Sequence, residues 1–274
     1  MTPIQAAILG IVEGLTEFLP VSSTGHLILA GHAMGLSGSA VDAFEIVIQA
    51  GALLAVLWLY RARVGELIAG VFRGDAGGRA LLLRLVVAFL PAAIVGFAFH
   101  ERIKEHLFGP RPVAVALLIG GIAILVVDRM RHHARAPIAA TVTEISIQGA
   151  LWIGLAQTLS LWPGVSRSMV TILAALLVGC TPVVAAEFSF LLALPTLGAA
   201  TLFDLLKHHD ELTGPALGGP APLIIGLVTA AIVAAVAIRA FLSYLTRRGL
   251  APFGWYRIVI GVLLIVILWG GTGV

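Results

Sequence analysis

The chain has 274 residues, of which 59% are hydrophobic and only 11% charged, and its mean hydropathy is +1.06. A soluble globular domain carries about 25% charged residues, so that class is excluded and a polytopic helical membrane protein remains. The net charge of +3 comes from arginines placed mostly in loops, which orients a chain in a bilayer and argues against nucleic acid as a partner. Cys180 is the single cysteine, so internal disulfides and thiolate metal clusters are excluded as well.

Eight apolar segments of membrane-like length follow one another, at about 2–31, 43–60, 80–99, 112–128, 147–180, 183–203, 222–242 and 254–270. The opening MTPIQAAILG lacks a basic n-region and a cleavage site, so no cleaved signal peptide is expected. The first segment is broken at its middle by EGLTEFLPVSSTGH. Glu13 and Glu17 stand four residues apart, so on a helix both carboxylates share one face, about 6 Å apart at Cβ. Pro20 stops or kinks that helix. Ser22, Ser23 and Thr24 then form an irregular turn, Gly25 frees the backbone, and His26 opens the next apolar run. Ionisable groups at membrane depth are costly and mark function, which makes this stretch a candidate site.

The loops differ in charge. Residues 61–84 read as a basic loop with Arg61, Arg63, Arg73, Arg79 and Arg84. Residues 129–135 carry Arg129, Arg131 and Arg135, and Arg247 and Arg248 are adjacent, whereas 204–215 is acidic. The pairs His132–His133 and His208–His209 read as solvated surface. Trp152, Trp162, Trp255 and Trp269 read as interface or packing residues.

The fifth segment is broken too, at WPGVSRS (162–168). Arg167 cannot discard its proton, so within an apolar segment it needs an anion or water. Gly164 permits close backbone approach, Ser166 and Ser168 add donors, and a helix starting near Ser168 would aim free N–H groups at a phosphate. This stretch repeats the first at an offset of 144 residues: Gly154 falls on Gly10, Gln157 on Glu13, Val165 on Val21, Ser166 on Ser22, Arg167 on Ser23 and Ser168 on Thr24. Two halves broken at corresponding places predict a repeat inverted across the membrane.

The expected fold is therefore an all-α polytopic membrane protein, a single domain over 1–274 with repeats at about 1–128 and 145–270. It has six transmembrane helices and two re-entrant helical hairpins. With six spans the loops at 61–84, 129–135 and 247–248 share one side, the cytoplasm, and 100–111, 204–221 and both termini lie outside. Eight full spans would instead leave 247–248 opposite the other basic loops. Opposed hairpins would bring Glu13, Glu17, Ser23 and His26 near Arg167, an inventory for phosphoryl transfer. A secondary transporter or flippase of an anionic lipid would want much the same groups.

EGLTEFLPVSSTGH, the later WPGVSRS, and the lesser stretches FEIVIQAGALLAV (44–56) and AAEFSFLLALP (185–195) resemble the bacterial undecaprenyl-diphosphatase family linked to bacitracin resistance. Met169 departs from the family pattern, which has glycine after SRS. The resemblance implies a phosphatase of the bacterial plasma (inner) membrane that removes the terminal phosphate of undecaprenyl diphosphate for cell-wall synthesis. It also implies a divalent cation, Mg or Ca, and a site facing the outer side. On this reading Arg167, with Ser166 and Ser168, clamps the diphosphate, while Glu13 and Glu17 hold the cation. Ser23 is the nucleophile or a phosphate ligand, and His26 the base or proton donor. Direct attack by water is the alternative. Ser22 and Thr24 add substrate donors, and Gln157 either completes the pocket or bridges helices. The expected partners are the polyprenyl diphosphate lipid and the bilayer, with a homodimer left open.

Overall fold

The computed structural model describes residues 1–107, 109–131, 138–215 and 217–270, so His132, His133 and Arg135 of the second basic loop lie outside the described residues. The chain opens with two short helices, α1 (Pro3–Thr16) and α2 (Ser23–Ala33), followed by α3 (Ser39–Val47) and α4 (Gln49–Leu59). Next come α5 (Arg61–Phe72), α6 (Ala76–Leu107) and α7 (Pro110–Arg131), then a second short pair, α8 (Ile147–Gln157) and α9 (Arg167–Leu177). Helices α10 (Pro182–Lys207), α11 (His209–Thr213), α12 (Pro220–Arg248) and α13 (Ala251–Gly270) complete it. Among the described residues no named strand forms; one isolated bridge pairs Ala139 with Cys180.

Among the described residues six helical stretches are long and apolar enough to cross a membrane: Ser39–Leu59, Ala76–Phe99, Pro110–Arg131, Pro182–Lys207, Pro220–Arg248 and Ala251–Trp269. The fourteen residues of α1 rise only about 21 Å, short of a hydrocarbon core of about 30 Å. Local chemistry sets the helix starts. Thr2 and Gln5 form a capping box ahead of Pro3, and Thr181 caps α10 ahead of Pro182. Helix α1 ends at Thr16, so Pro20 stands in the turn that follows, and Ser23 and Thr24 already belong to α2. The segment read as a basic loop at 61–84 is largely helical, formed by α5 and the start of α6. Gly70 and Gly78 let these two helices meet backbone to backbone, a contact that hydropathy does not register.

Glycines also seat the short helices on the long ones. A Cβ added to Gly10 would lie 2.7 Å from the Gly226 carbonyl, and one on Gly14 2.7 Å from that of Ala230, so α1 touches the α12 backbone. A Cβ on Gly154 would lie 2.5 Å from the Ala88 carbonyl, which seats α8 on α6 in the same way.

Contacts define two ends of the bundle. At one end Ser39 Oγ donates to Glu211 (2.6 Å), Gln5 reaches the Met34 carbonyl (3.5 Å), and Arg111 stacks over Trp269. At the other, Arg63 pairs with Glu187 (2.9 Å), Arg84 donates to the Ile145 carbonyl (2.5 Å), and Leu250 N donates to Asp128 (3.3 Å). The arginines at 61–84, 129–131 and 247–248 gather at this second end. Helices α1 and α2 open toward the first end, and α8 and α9 toward the second, where Thr181 N donates to the Ala139 carbonyl (3.2 Å).

Candidate active site

The closed ends of the two short helix pairs meet inside the bundle. Helix α2 is capped by Ser22 and α9 by Ser166, and each cap hydroxyl accepts from the backbone N–H three residues on. Both serines hold positive φ, 76° and 75°, the only non-glycine residues to do so among the described residues. Such backbone costs about 1–3 kcal/mol at each position and persists only where the surroundings impose it. The two caps lie 144 residues apart, at the offset of the sequence repeat.

Across the gap, Arg167 Nη2 donates to Glu17 Oε1 at 2.8 Å, and both side chains are buried. Ser23 Oγ donates to the other oxygen of the same carboxylate, Oε2, at 2.5 Å. The Arg167 fork is held from behind: Nη1 donates to the Ser189 carbonyl (2.8 Å) and hydroxyl (3.3 Å), and the Phe18 ring lies 5.6 Å from its Cζ. Thr171 secures Ser189 through a 2.7 Å hydroxyl contact. Ser168 Oγ donates to the Leu19 carbonyl at 2.9 Å and so ties the second turn to the first.

His26 takes different partners from those of Ser23. Its Nδ1 lies 2.7 Å from the Ser22 carbonyl, which can only accept, so that nitrogen carries the proton. In the neutral ring Nε2 is then an acceptor and receives the Tyr256 hydroxyl, also at 2.7 Å, with the two rings stacked.

The next residue, Arg257, has 0% exposure, and its guanidinium gathers both turns. It donates to the carbonyls of Pro20 (3.4 Å) in the first turn, Gly164 (2.8 Å) in the second and Ala116 (3.1 Å) on α7. Sequence reasoning passed over Arg257 and Tyr256 because both fall inside an apolar run; an ionisable residue within a membrane-like segment was the signal available. Ser189 carried no such signal.

Of the predicted residues, Glu17, Ser23, Arg167, Ser166 and Ser168 come together, with Ser22 and the half-buried Thr24 at the start of α2. Gln157 lies against α6 and α10, 3.5 Å from the Ala88 carbonyl and 3.4 Å from the Thr196 hydroxyl, as a helix bridge does. Both carboxylate oxygens of Glu13 are buried without a hydrogen-bond partner. Among the described residues no group of three or more His, Cys, Asp or Glu is placed to hold a metal. Glu13 nonetheless fits a hard cation that keeps few protein ligands and takes phosphate oxygens for the rest. Glu17 fits only where Ser23 or Arg167 releases one of its oxygens.

The profile of the family described as bacitracin resistance protein BacA matches residues 6–263. The chain belongs to that family. It is 52% identical to a protein of Sorangium cellulosum named undecaprenyl-diphosphatase, over 95% of this chain and 85% of the relative. It is 45% identical to undecaprenyl-diphosphatase 1 of Chromobacterium violaceum over 97% of both chains. It is 46% identical to undecaprenyl-diphosphatase 2 of Rhodospirillum rubrum over 98% of this chain and 96% of the relative.

Proposed function

We propose that this BacA-family protein is a membrane phosphatase that converts undecaprenyl diphosphate to undecaprenyl phosphate and inorganic phosphate, recycling the carrier lipid for wall synthesis. The observation that carries this reading is the Glu17 carboxylate, held between Ser23 Oγ and Arg167 Nη2. One anion thus links a nucleophile to a cation suited to phosphate.

Arg167 binds the terminal phosphate through its planar fork, already set in orientation by Ser189 and Phe18. The N-terminal turns of α2 and α9 offer backbone N–H groups, and Ser22, Thr24, Ser166 and Ser168 offer hydroxyls. Ser23 Oγ attacks the terminal phosphorus and gives its proton to Glu17 Oε2; the bond from phosphorus to the bridging oxygen breaks and undecaprenyl phosphate leaves. Water then attacks the phosphoserine, giving a proton to the Tyr256 hydroxyl as that hydroxyl passes its own to His26 Nε2. The Oγ–P bond breaks, Ser23 recovers its proton from Glu17, and His26 passes its own to the departing phosphate or to solvent. A divalent cation, Mg or Ca, held by Glu13 and Glu17 would neutralise charge on the diphosphate oxygens.

The same reading takes the chain as a single domain of two inverted repeats, with α1–α2 and α8–α9 as re-entrant hairpins. Support comes from the matched serine caps, the matched glycines Gly10 and Gly154, and the opposite open ends of the two pairs. The arginine-rich end lies in the cytoplasm of the plasma membrane, and the site opens to the outer side through His26 and Tyr256. Phosphate release by purified protein in detergent tests the function, because transport has no meaning there. One phosphate per undecaprenyl diphosphate is expected. No release, together with movement of the lipid across vesicles, would replace the enzyme with a carrier.

A further inference from the structure

Beside the second turn an apolar cavity of about 330 Å³ runs between α7, α8 and α9. Its head adjoins the site: Val165 and Met169 line it and bracket the Ser166–Ser168 cradle in sequence. A Cβ added to Gly120, on the cavity wall, would lie 2.9 Å from Met169 Sδ and would strike the Arg257 guanidinium. The guanidinium that gathers Pro20 and Gly164 therefore stands behind the Gly120 wall, at the level of Met169.

The cavity has a direction. Helix α9 runs from Arg167 at the turn to Leu177, just before the Ala139–Cys180 bridge at the arginine-rich end. Helix α7 runs the same way, since Gly120 meets Met169 at the top and its last residues, Arg129 and Arg131, reach that same end. The cavity's α9 lining descends from Met169 to Leu177, a rise of about 12 Å. Small residues carve it on all three walls: Gly120 and Ala123 on α7, Ala156 on α8 and Ala174 on α9.

We propose that this cavity receives the first isoprene units of the substrate's polyprenyl chain, which descend along α9 while the diphosphate rests at the two turns. The proposal rests on the phosphatase reading and adds where the lipid tail binds and which residues sense its length. An apolar cavity whose Val165 and Met169 flank the anion cradle suits a chain covalently continuous with the anion better than a separate bilayer lipid, whose headgroup would have to stand in the same cradle.

Ala123→Phe on α7 and Ala174→Phe on α9, on two different walls, plug the cavity below its head. With undecaprenyl diphosphate each should raise KM by about tenfold with kcat little changed, while kcat/KM for dimethylallyl diphosphate, whose single isoprene unit ends above the plug, stays at the wild-type value. Equal losses on both substrates would mean the residues only hold the fold, and no loss on either would place the chain elsewhere; both results overturn the proposal. A photoreactive residue at position 127 supplies a readout independent of turnover. It should form an adduct with undecaprenyl phosphate that excess phosphatidylglycerol does not displace, and displacement would assign the cavity to ordinary bilayer lipid. Failure of the unmodified protein to release phosphate from either substrate would remove the phosphatase reading, while the adduct would still decide the tail site.

Discussion

The two broken segments share a backbone design and differ in what it carries. Each places a serine with positive φ at the cap of an eleven-residue helix, and each is seated by a glycine on the backbone of a long helix. In the first segment α2 leaves Thr24 and His26 partly exposed, and α1 with its C-cap Glu17 supplies two carboxylates. In the second, ten of the eleven residues of α9 are buried and the charge is the single Arg167. At the position matching Glu13, the second segment has Gln157, an amide satisfied by Ala88 and Thr196, whereas the Glu13 oxygens are buried without partners. The second segment is thus the more deeply buried, with Arg167 Nε and Trp162 Nε1 also left without partners, and the first carries the two carboxylates, Ser23 and His26. A shared backbone plan lets anion and cation be placed on separate segments.

The largest test of that contrast is at Arg167. Arg167→Ala should lower kcat by at least about 10²–10³-fold in a phosphate-release assay, and Arg167→Lys should recover little because the planar fork is lost. Near-normal turnover in the lysine variant would show that the second segment supplies only diffuse charge. Arg257, which joins the two segments, comes next. Arg257→Ala should cost about 10²-fold in kcat through misplacement of the turns, and Gly120→Leu should reproduce much of it by displacing the same guanidinium. If Gly120→Leu leaves kcat intact, Arg257 does not set the spacing. Smaller effects belong to the matched glycines. Gly10→Val and Gly154→Val should each lower stability by about 1–3 kcal/mol, read from unfolding in detergent, and a silent result at one of them would break the correspondence. Smallest of all, Ser22→Gly and Ser166→Gly exchange a lost cap against relieved strain. Each should shift stability by less than about 1 kcal/mol, in the same direction in both segments.

Much of this frame was legible in the sequence. The six long apolar runs became the six membrane-length helical stretches of the described residues, one of them the α3–α4 pair, with ends moved by a few residues, since hydropathy over a span of that length leaves little freedom. The polar breaks located Glu17, Ser23 and Arg167, because charge inside an apolar run is expensive and so stands out. The pairing of Ser23 with Glu17 rather than with His26 was not legible: spacing along a helix does not say which oxygen a hydroxyl chooses. The role of Arg257 was hidden for another reason. Its partners are main-chain carbonyls of Pro20, Ala116 and Gly164, and every residue type has a carbonyl. Helix α5 was missed because its packing on α6 rests on Gly70 and Gly78 rather than on an apolar stripe.

Helix α1 is committed on nearly every side: Gly10 and Gly14 face the α12 backbone, Glu13 and Glu17 face the interior, and Ala6 and Leu9 are fully buried. Only Ile4, Ile8, Ile11 and Leu15 form an outward apolar stripe. The heritable variation this helix can absorb is therefore confined to exchanges among apolar side chains along that stripe. A compound that made its contacts with the inward faces of α1 would leave a bacterium few viable routes of escape there, and resistance would have to arise by raising enzyme dosage or by bypassing the step.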